Sequence, residues 1–263
     1  MEKRAVIISL ILILLSIQLI STASALEVTM KDNFNQGETF MAKISGNFVQ
    51  PILKENIKFY RGVVRVSIDP YVAKIQDEYY IYAILPENYA NYSIEIDKVE
   101  YYSGSTTSDE KIIKEFKITN QTADFSIEPG FIYTNKDFEI KVQNLKDSKI
   151  TLSISSDLSK DKNSSIELKS GDIEKIKFFI EDAEKNKLYT LTFTSGNLNY
   201  NLPVYLFGEN EEPEKIRRFR FDPPGPLSVN LSTNNATKRI VYLYNTGTED
   251  LTNTTLFISN ELK

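Results

Sequence analysis

The feature that most constrains this chain is the spacing of its apolar residues, which recur at every second position in short runs. Between Thr39 and Ser45 the apolar side chains are Phe40, Ala42 and Ile44. Two further runs alternate in the same way, with these residues on the apolar side: Ile94 and Ile96; Leu198, Tyr200, Leu202, Val204 and Leu206. A period of two is that of a β-strand with one buried face. The sequence therefore predicts an all-β fold of the sandwich type.

Two positions refine this prediction. Pro203 interrupts the last of these runs, and a proline has no N–H for a strand ladder, so we expect an edge strand there. The stretch from Ser108 to Phe116 fits a helix or a strand that follows a charged turn, and the pattern alone leaves both open.

The N-terminus has the organisation of an export signal. Basic residues occur within Met1–Arg4, an apolar run covers Ala5–Ile20, and the small residues that follow end in Ala23-Ser24-Ala25. This pattern predicts a signal peptide over residues 1–25, cleaved after Ala25. An uncleaved signal anchor is the alternative, because Leu26 extends the apolar character. Both predict an extracellular or cell-envelope location.

The remainder of the chain divides into modules. We expect a β-sandwich module one over 26–120, an Ig-like module two over 123–207, an acidic linker over 208–218 and a third Ig-like module over 219–263. The chain has no cysteine, so its cores must be stable without disulfides, and its length suffices for two or three domains.

Modules two and three share a sequence pattern. The run Phe138–Asn144 aligns with Arg239–Asn245, and Ile150–Leu158 aligns with Thr254–Leu262, which indicates duplicated domains. Module two continues to Phe207, whereas the chain stops at Lys263 soon after the matching point. We therefore expect module three to be incomplete and the gene to continue, with the missing half-sandwich and then further modules or an anchor.

A family resemblance follows from the same region. Tyr244-Asn245-Thr246-Gly247, followed by the run Asn253–Ser259, resembles the hairpin of CARDB-like Ig-fold modules in archaeal and bacterial surface proteins. It covers modules two and three, and Leu145 departs from the motif in module two. The resemblance implies seven-stranded sandwiches used as spacer, adhesive or accessory domains, and it brings no catalytic residues.

Composition excludes most catalytic chemistry. The chain has no histidine and no cysteine, which excludes Ser-His-Asp triads, thiol nucleophiles and most zinc sites. Its net charge of −5 argues against nucleic acid as a partner. Carboxylates such as Glu95, Asp97, Glu139 and Glu174 occupy alternating outward positions and predict solvated strand faces. We therefore expect no enzyme activity and no cofactor, with a carboxylate-based glycosidase as a remote alternative.

One segment concentrates oxygen ligands. Asp157 to Asn163 contains carboxylate, hydroxyl and amide groups of the kind that bind calcium. Lys160 and Lys162 place positive charge among those groups. We therefore predict an ordinary loop and no metal.

Tyrosines are unusually dense in module one, and four of them are candidates for binding: Tyr80, Tyr82, Tyr101 and Tyr102. Outward tyrosines can stack on sugars or anchor a protein partner. Cross-strand packing and core filling are the alternative. If Tyr101 and Tyr102 lie in one strand, their rings point to opposite faces.

Six asparagines start an Asn-X-Ser/Thr acceptor sequence for N-glycosylation: Asn91, Asn120, Asn163, Asn230, Asn235 and Asn253. We expect Asn91, Asn163, Asn235 and Asn253 in loops and Asn120 at a module junction.

Together these features predict an exported cell-surface structural or adhesive protein of stacked Ig-like modules. The alternative is a glycan- or protein-binding module one carried on a stalk of the later modules. The predicted partner is a protein or glycan at the cell surface. Membrane attachment would involve only the signal peptide or a downstream anchor.

Overall fold

The chain is almost entirely β-structure. The computed structural model describes residues 26–104, 106–208, 219–222 and 242–245. These ranges contain strands and one 3-10 turn, Lys54–Asn56, and no helix in them has the length and apolar content that crossing a bilayer requires. The predicted all-β fold of tandem sandwiches is confirmed.

Module one is an Ig-like sandwich. Its strands are β1 (Leu26–Met30), β2 (Asn33–Gln36), β3 (Thr39–Gly46), β4 (Ile57–Arg61), β5 (Val64–Val66), β6 (Tyr71–Ile75), β7 (Glu78–Ile84), β8 (Ala90–Ser103) and β9 (Thr106–Thr122). One sheet has the order β1-β3-β7-β6 and the other β2-β9-β8-β4-β5. β2 runs parallel to β9, and the other pairs are antiparallel.

Module two has closely related topology. Its strands are β10 (Phe125–Glu128), β11 (Ile132–Thr134), β12 (Phe138–Asn144), β13 (Ile150–Ser155), β14 (Ser159–Lys160), β15 (Ser165–Leu168), β16 (Ile173–Phe179), β17 (Lys187–Ser195) and β18 (Leu198–Leu206). The sheets are β10-β12-β16-β14 and β11-β18-β17-β13-β15. In both modules the first strand pairs in one sheet, and the second runs parallel to the last strand in the other, as in Ig domains.

Little of the third module is described. β19 (Phe219–Asp222) pairs antiparallel with β20 (Tyr242–Asn245). The predicted signal peptide, including Ala23 and Ala25, lies outside the described residues. So do residues 209–218 of the linker and the remainder of module three.

The cores follow the predicted alternation. Phe40, Ala42 and Ile44 are buried in module one, where the Phe40 ring lies 5.2 Å from the Phe34 ring and 5.3 Å from the Phe116 ring. In module two the core-facing side of β18 consists of the five predicted residues from Leu198 to Leu206. Each module therefore has its own apolar core, without disulfides.

The structure decides two features of the strand prediction, the role of Pro203 and the conformation of Ser108–Phe116. The prediction that Pro203 marks an edge strand is wrong, because β18 lies between β17 and β11. The proline is tolerated because the parallel pairing with β11 begins only at the next residue, Val204. The stretch Ser108–Phe116, left open by its pattern, is strand within β9.

Asn144 explains why an asparagine ends the aligned strand in module two. Its side chain is buried, and Nδ2 donates to the carbonyl oxygens of Ser148 (2.9 Å), Leu168 (3.1 Å) and Lys169 (2.7 Å). Its Oδ1 accepts a hydrogen bond from Lys146 N (2.9 Å). One amide thus satisfies backbone groups from two separate turns.

We expect Asn144→Asp to lower the free energy of unfolding by about 2–4 kcal/mol, because a carboxylate would face three carbonyl acceptors. Urea denaturation of the purified chain measures this. Asn144→Ala, which removes the donor without adding charge, is the matched control and should lose less. Equal losses in both variants, or a change below about 0.5 kcal/mol, would contradict this account of Asn144.

Candidate functional site: the module joint and the distal hairpin

The outward face of β7 is partly covered by module two. Tyr79 and Ile81 point into the module-one core, whereas Tyr80 and Tyr82 pair with Lys43 and Met41 on the opposite face of the sheet. β11 and β18 of module two cover this second face. An apolar cluster of both modules results, in which Ile75, Tyr205 and Phe207 are buried and Tyr80, Phe131 and Tyr133 are partly buried against them. We call this contact region, together with the hydrogen bonds described below, the module joint.

Aromatic rings make most of the joint. The Tyr82 ring stacks on the Tyr71 ring of the same module, with 4.7 Å between ring centroids. It also packs edge-on against the Phe131 ring of module two, with 5.2 Å between centroids. Such ring pairs contribute about 0.5–1.5 kcal/mol each beyond their buried area. Gly130 allows the two modules to approach this closely, since a Cβ at this position would lie 2.4 Å from Tyr82 Cβ.

Buried hydrogen bonds cross the same joint. The hydroxyl of Tyr200 in module two accepts from Thr39 N (2.9 Å) and donates to Phe125 O (3.2 Å). The hydroxyl of Thr39 in module one donates to Ile127 O (2.8 Å) and accepts from Ile127 N (2.9 Å). Burial raises the pKa of Tyr200, so this hydroxyl keeps its proton at neutral pH. Buried and satisfied polar contacts of this kind fix one relative orientation.

The connection between the modules is short. β9 ends at Thr122 and β10 begins at Phe125, and Ala123 N donates to Gln36 O (3.0 Å). Gly37 has a φ of 73°, and a Cβ on it would lie 2.9 Å from Cδ1 of Leu145, so the module-two hairpin lies against this turn. Contacts on both sides of the connection therefore restrict rotation between the modules.

A cleft of about 530 Å³ remains beside the joint. Met30, Met41 and Pro203 are among its apolar residues, and Asn199 and Asn201 stand at its module-two side. Its two lysines are already paired, Lys31 with Glu38 (2.5 Å) and Lys43 with Glu78 (2.8 Å). The cleft thus offers an apolar surface with few free charges.

The four candidate tyrosines do not form one surface. Tyr82 is 6% exposed in the joint, and Tyr101 is 8% exposed with its hydroxyl donating to Glu110 (2.9 Å). Burial removes both from the candidates for binding. Tyr80 is half-buried at the joint, with its hydroxyl on Glu78 (2.9 Å). Tyr102 is 45% exposed and lies on a different part of module one.

Tyr102 lies on a long hairpin made by β8 and β9. β4 pairs with β8 only as far as Ile96, and the hairpin continues beyond it to the turn at Gly104. β9 has 17 residues, and at about 3.3 Å per residue its start lies about 50 Å from its end at the junction with module two. We call residues 97–104 and 106–111 the distal hairpin.

The distal hairpin is braced. Val49 N donates to Glu100 O (2.8 Å), and Tyr102 N donates to Asn47 O (2.8 Å). Between them, the Phe48 ring meets the edge of Tyr79 at 4.9 Å. A bulge after Ile96, where Lys98 has a φ of 57°, turns Tyr101 inward and Tyr102 outward. The hairpin is thus held in one orientation.

Three glycosylation candidates are in the described ranges. Asn163 is exposed in a loop, as predicted. The prediction of a loop at Asn91 is wrong, because the residue is exposed near the start of β8, paired with Lys117. Asn120 is exposed near the end of β9, close to the junction. Asn230, Asn235 and Asn253 lie outside the described residues.

The acidic pair Glu95 and Asp97, on an outward strand face, is neutralised by lysines. Lys111 Nζ lies 3.2 Å from Glu95 and 3.4 Å from Asp97, and Lys58 also pairs with both carboxylates. The hydrogen bond from Lys58 lowers the pKa of Asp97. Both carboxylates therefore serve the ion-pair network, and Asp97 is a poor proton donor at neutral pH.

This network predicts a pH effect. A lowered folded-state pKa means that Asp97 stabilises the fold above its unfolded-state pKa, about 3.9, and that this stability is lost as the pH falls through the folded pKa. We expect Lys58→Gln to move the acid unfolding midpoint to higher pH. Circular dichroism across pH 2 to about 6 measures the midpoint. Lys74→Gln, at an exposed lysine, is the control, and equal shifts in both variants would contradict the role of Lys58.

The segment Asp157–Asn163 is held by protein contacts. Asp161 Oδ1 accepts from Lys177 N (2.9 Å), and Lys162 pairs with Glu174 (2.6 Å). Across the described part of the chain, no three acidic side chains come together as a metal site would require.

No protein-family model matches this chain, and neither does any curated protein sequence. Solved structures give distant likenesses. Domains 5–6 of the S-layer protein SbsC match with a TM-score of 0.35 and 14% identity, covering 70% of this chain and 97% of that one. The chaperone–tip adhesion subunit complex of Csu pili from Acinetobacter baumannii matches with 0.28 and 13%, covering 48% and 78%. The Yersinia pseudotuberculosis adhesin InvE matches with 0.26 and 10%, covering 79% and 72%. Likenesses at these TM-scores carry no conclusion about the function of this chain.

Proposed function

We propose that this chain is an exported cell-surface structural or adhesive protein in which modules one and two act as one rigid unit. The module joint is the observation that carries the proposal. A covered aromatic face and the buried hydrogen bonds of Thr39 and Tyr200 fix the modules in one arrangement. A rigid unit of two sandwiches keeps the distal hairpin at a set distance from whatever follows module two.

The sequence supports export and a non-catalytic role. The signal-like N-terminus supports delivery out of the cytoplasm, and cores without disulfides are compatible with that destination. The absence of histidine and cysteine from the sequence, and the lysine pairing of Glu95 and Asp97, support a role without catalysis. The CARDB-like character of the second and third modules belongs to the same proposal.

Module two does not repeat the docking face of module one. Where β7 carries the outward Tyr80 and Tyr82, the equivalent strand β16 carries Lys175 and Lys177, which pair in register with Lys141 and Glu139. Lys175 and Lys177 form ion pairs with Glu139 (3.8 Å) and Asp137 (3.7 Å). A charged, solvated face of this kind does not favour aromatic docking. This supports a rigid unit limited to modules one and two.

Surface display is tested on intact cells that produce the protein. Antibodies raised against the two-module unit should label intact cells as strongly as permeabilised ones. Protease added outside intact cells should abolish the antibody labelling. An antibody against a cytoplasmic protein of the same cells is the control for leakage. Labelling that requires permeabilisation would contradict the proposed location.

A further inference from the structure

One face of the distal hairpin combines an exposed aromatic ring with unpaired acidic groups. In the β8–β9 register Tyr102 lies opposite Thr107, and Glu100 lies opposite Asp109, on the same face. Tyr102 is 45% exposed, and Thr107 and Asp109 are exposed as well. Val99 and Tyr101 point to the other face and are buried.

The charge is one-sided at the outer end of this face. From residue 99 to residue 110 the sequence has neither lysine nor arginine, and two of its three carboxylates, Glu100 and Asp109, lie on this face. The next residue of β9 on the same face, Lys111, is paired with Glu95 and Asp97. Among the described residues, neither Glu100 nor Asp109 takes part in an ion pair. Carboxylates directly opposite each other on neighbouring strands are destabilising. A cation placed between them would remove that repulsion.

The shape of the hairpin points to the class of partner. It projects beyond the last β4 pairing, so it is convex, whereas small-molecule sites are concave. Its two braces to Asn47 and Val49 order it before binding, which lowers the entropy cost of association. A rigid projecting tyrosine fits a recess in a protein surface.

We propose that the distal hairpin binds an arginine-bearing segment of a partner protein. A guanidinium group is planar, donates to two carboxylates at once and stacks on an aromatic ring. Glu100 and Asp109 accept its hydrogen bonds, and Tyr102 provides the ring. This inference rests on the proposed adhesive role and names the partner for it.

The test is an NMR titration of the purified chain at low ionic strength with a tetra-arginine peptide. We expect shifts at the amides of Glu100, Tyr102, Thr107 and Asp109, and weaker binding of tetra-lysine. Tyr102→Ala and the double variant Glu100→Gln/Asp109→Asn should each weaken tetra-arginine binding about tenfold. Tyr89→Ala is the control, since Tyr89 is 69% exposed outside the hairpin, and it should bind as the unaltered chain does.

The outcomes separate the alternatives. Shifts centred on another acidic region, or unchanged binding in the hairpin variants, would overturn the inference. Capture of neutral glycans that is lost in Tyr102→Ala, without a response to tetra-arginine, would overturn it in favour of a glycan partner. Amide spectra with the remaining peaks unmoved establish that each variant is folded. Intact-cell labelling measures surface display independently, so a failed hairpin test leaves the proposed location standing.

Discussion

Replacing Gly130 by alanine is expected to separate the two modules. The added Cβ would lie 2.4 Å from Cβ and 2.8 Å from Cγ of Tyr82, which are not the movable end of a side chain. Tyr82 is itself held by the Tyr71 ring at 4.7 Å, so it cannot turn away without losing that stack. Overpacking of this kind costs about 1–3 kcal/mol, comparable to the aromatic contacts that hold the joint.

Small-angle X-ray scattering and hydrogen exchange measure this separation. The variant should have a larger radius of gyration, and the amides of Thr39 and Ile127 should lose protection while those in both cores keep it. Ser164→Ala, at an exposed loop position, is the control and should leave both readings unchanged. A variant with unaltered scattering and full protection of Thr39 would show that the joint tolerates the methyl group.

Phe40→Ala is expected to lower the free energy of unfolding of module one by about 3–5 kcal/mol. We expect it to destabilise module two as well. Phe40 is fully buried, and its ring is within 5.4 Å of the rings of Phe34, Phe59 and Phe116. The substitution leaves a cavity among these rings. Because the joint couples the modules, part of the lost stability should also appear in module two.

Calorimetry and hydrogen exchange distinguish coupled from independent modules. A coupled unit shows a lower melting temperature in a single transition and faster exchange at the module-two residues Leu152 and Phe193. The corresponding module-two variant, Phe193→Ala, should in turn speed exchange in module one. Normal exchange in module two of Phe40→Ala, with two separate transitions, would mean that the joint transmits no stability.

The strands and cores could be predicted because their signal is local. Alternation such as Phe40-Met41-Ala42 reports one buried face wherever it occurs, and the structure follows it. The acceptor sequence at Asn91 carries no such alternation signal, and the residue is exposed in a strand, near the start of β8, and not in the predicted loop.

The alternation of apolar and polar residues could not predict the module joint. Alternation indicates one buried strand face, whereas at the joint another module also buries the second face. The run from Pro203 to Phe207 is buried at every position, and this continuous apolar run was the available signal for a strand covered on both sides. Tyr79 to Tyr82 showed the same signal. Nothing in the sequence states which surface covers such a strand, since that depends on contacts between distant residues such as Thr39 and Tyr200.

The orientation of the tyrosines in the distal hairpin was likewise beyond the pattern. Whether Tyr101 or Tyr102 faces outward depends on the bulge after Ile96, which shifts the register of everything beyond it. Lys98 has a φ of 57° at the bulge. Lysine is not typical of that backbone conformation, so the sequence does not predict a bulge there.

The most direct test of the rigid two-module unit is a distance distribution between the modules. The chain has no native cysteine, so spin labels can be placed at Val63→Cys in module one and Asp182→Cys in module two, both at exposed positions. Double electron–electron resonance should give one narrow distance, and adding Gly130→Ala should broaden it. A broad distribution in the otherwise unaltered chain, equal to that of the Gly130→Ala variant, would contradict a rigid unit.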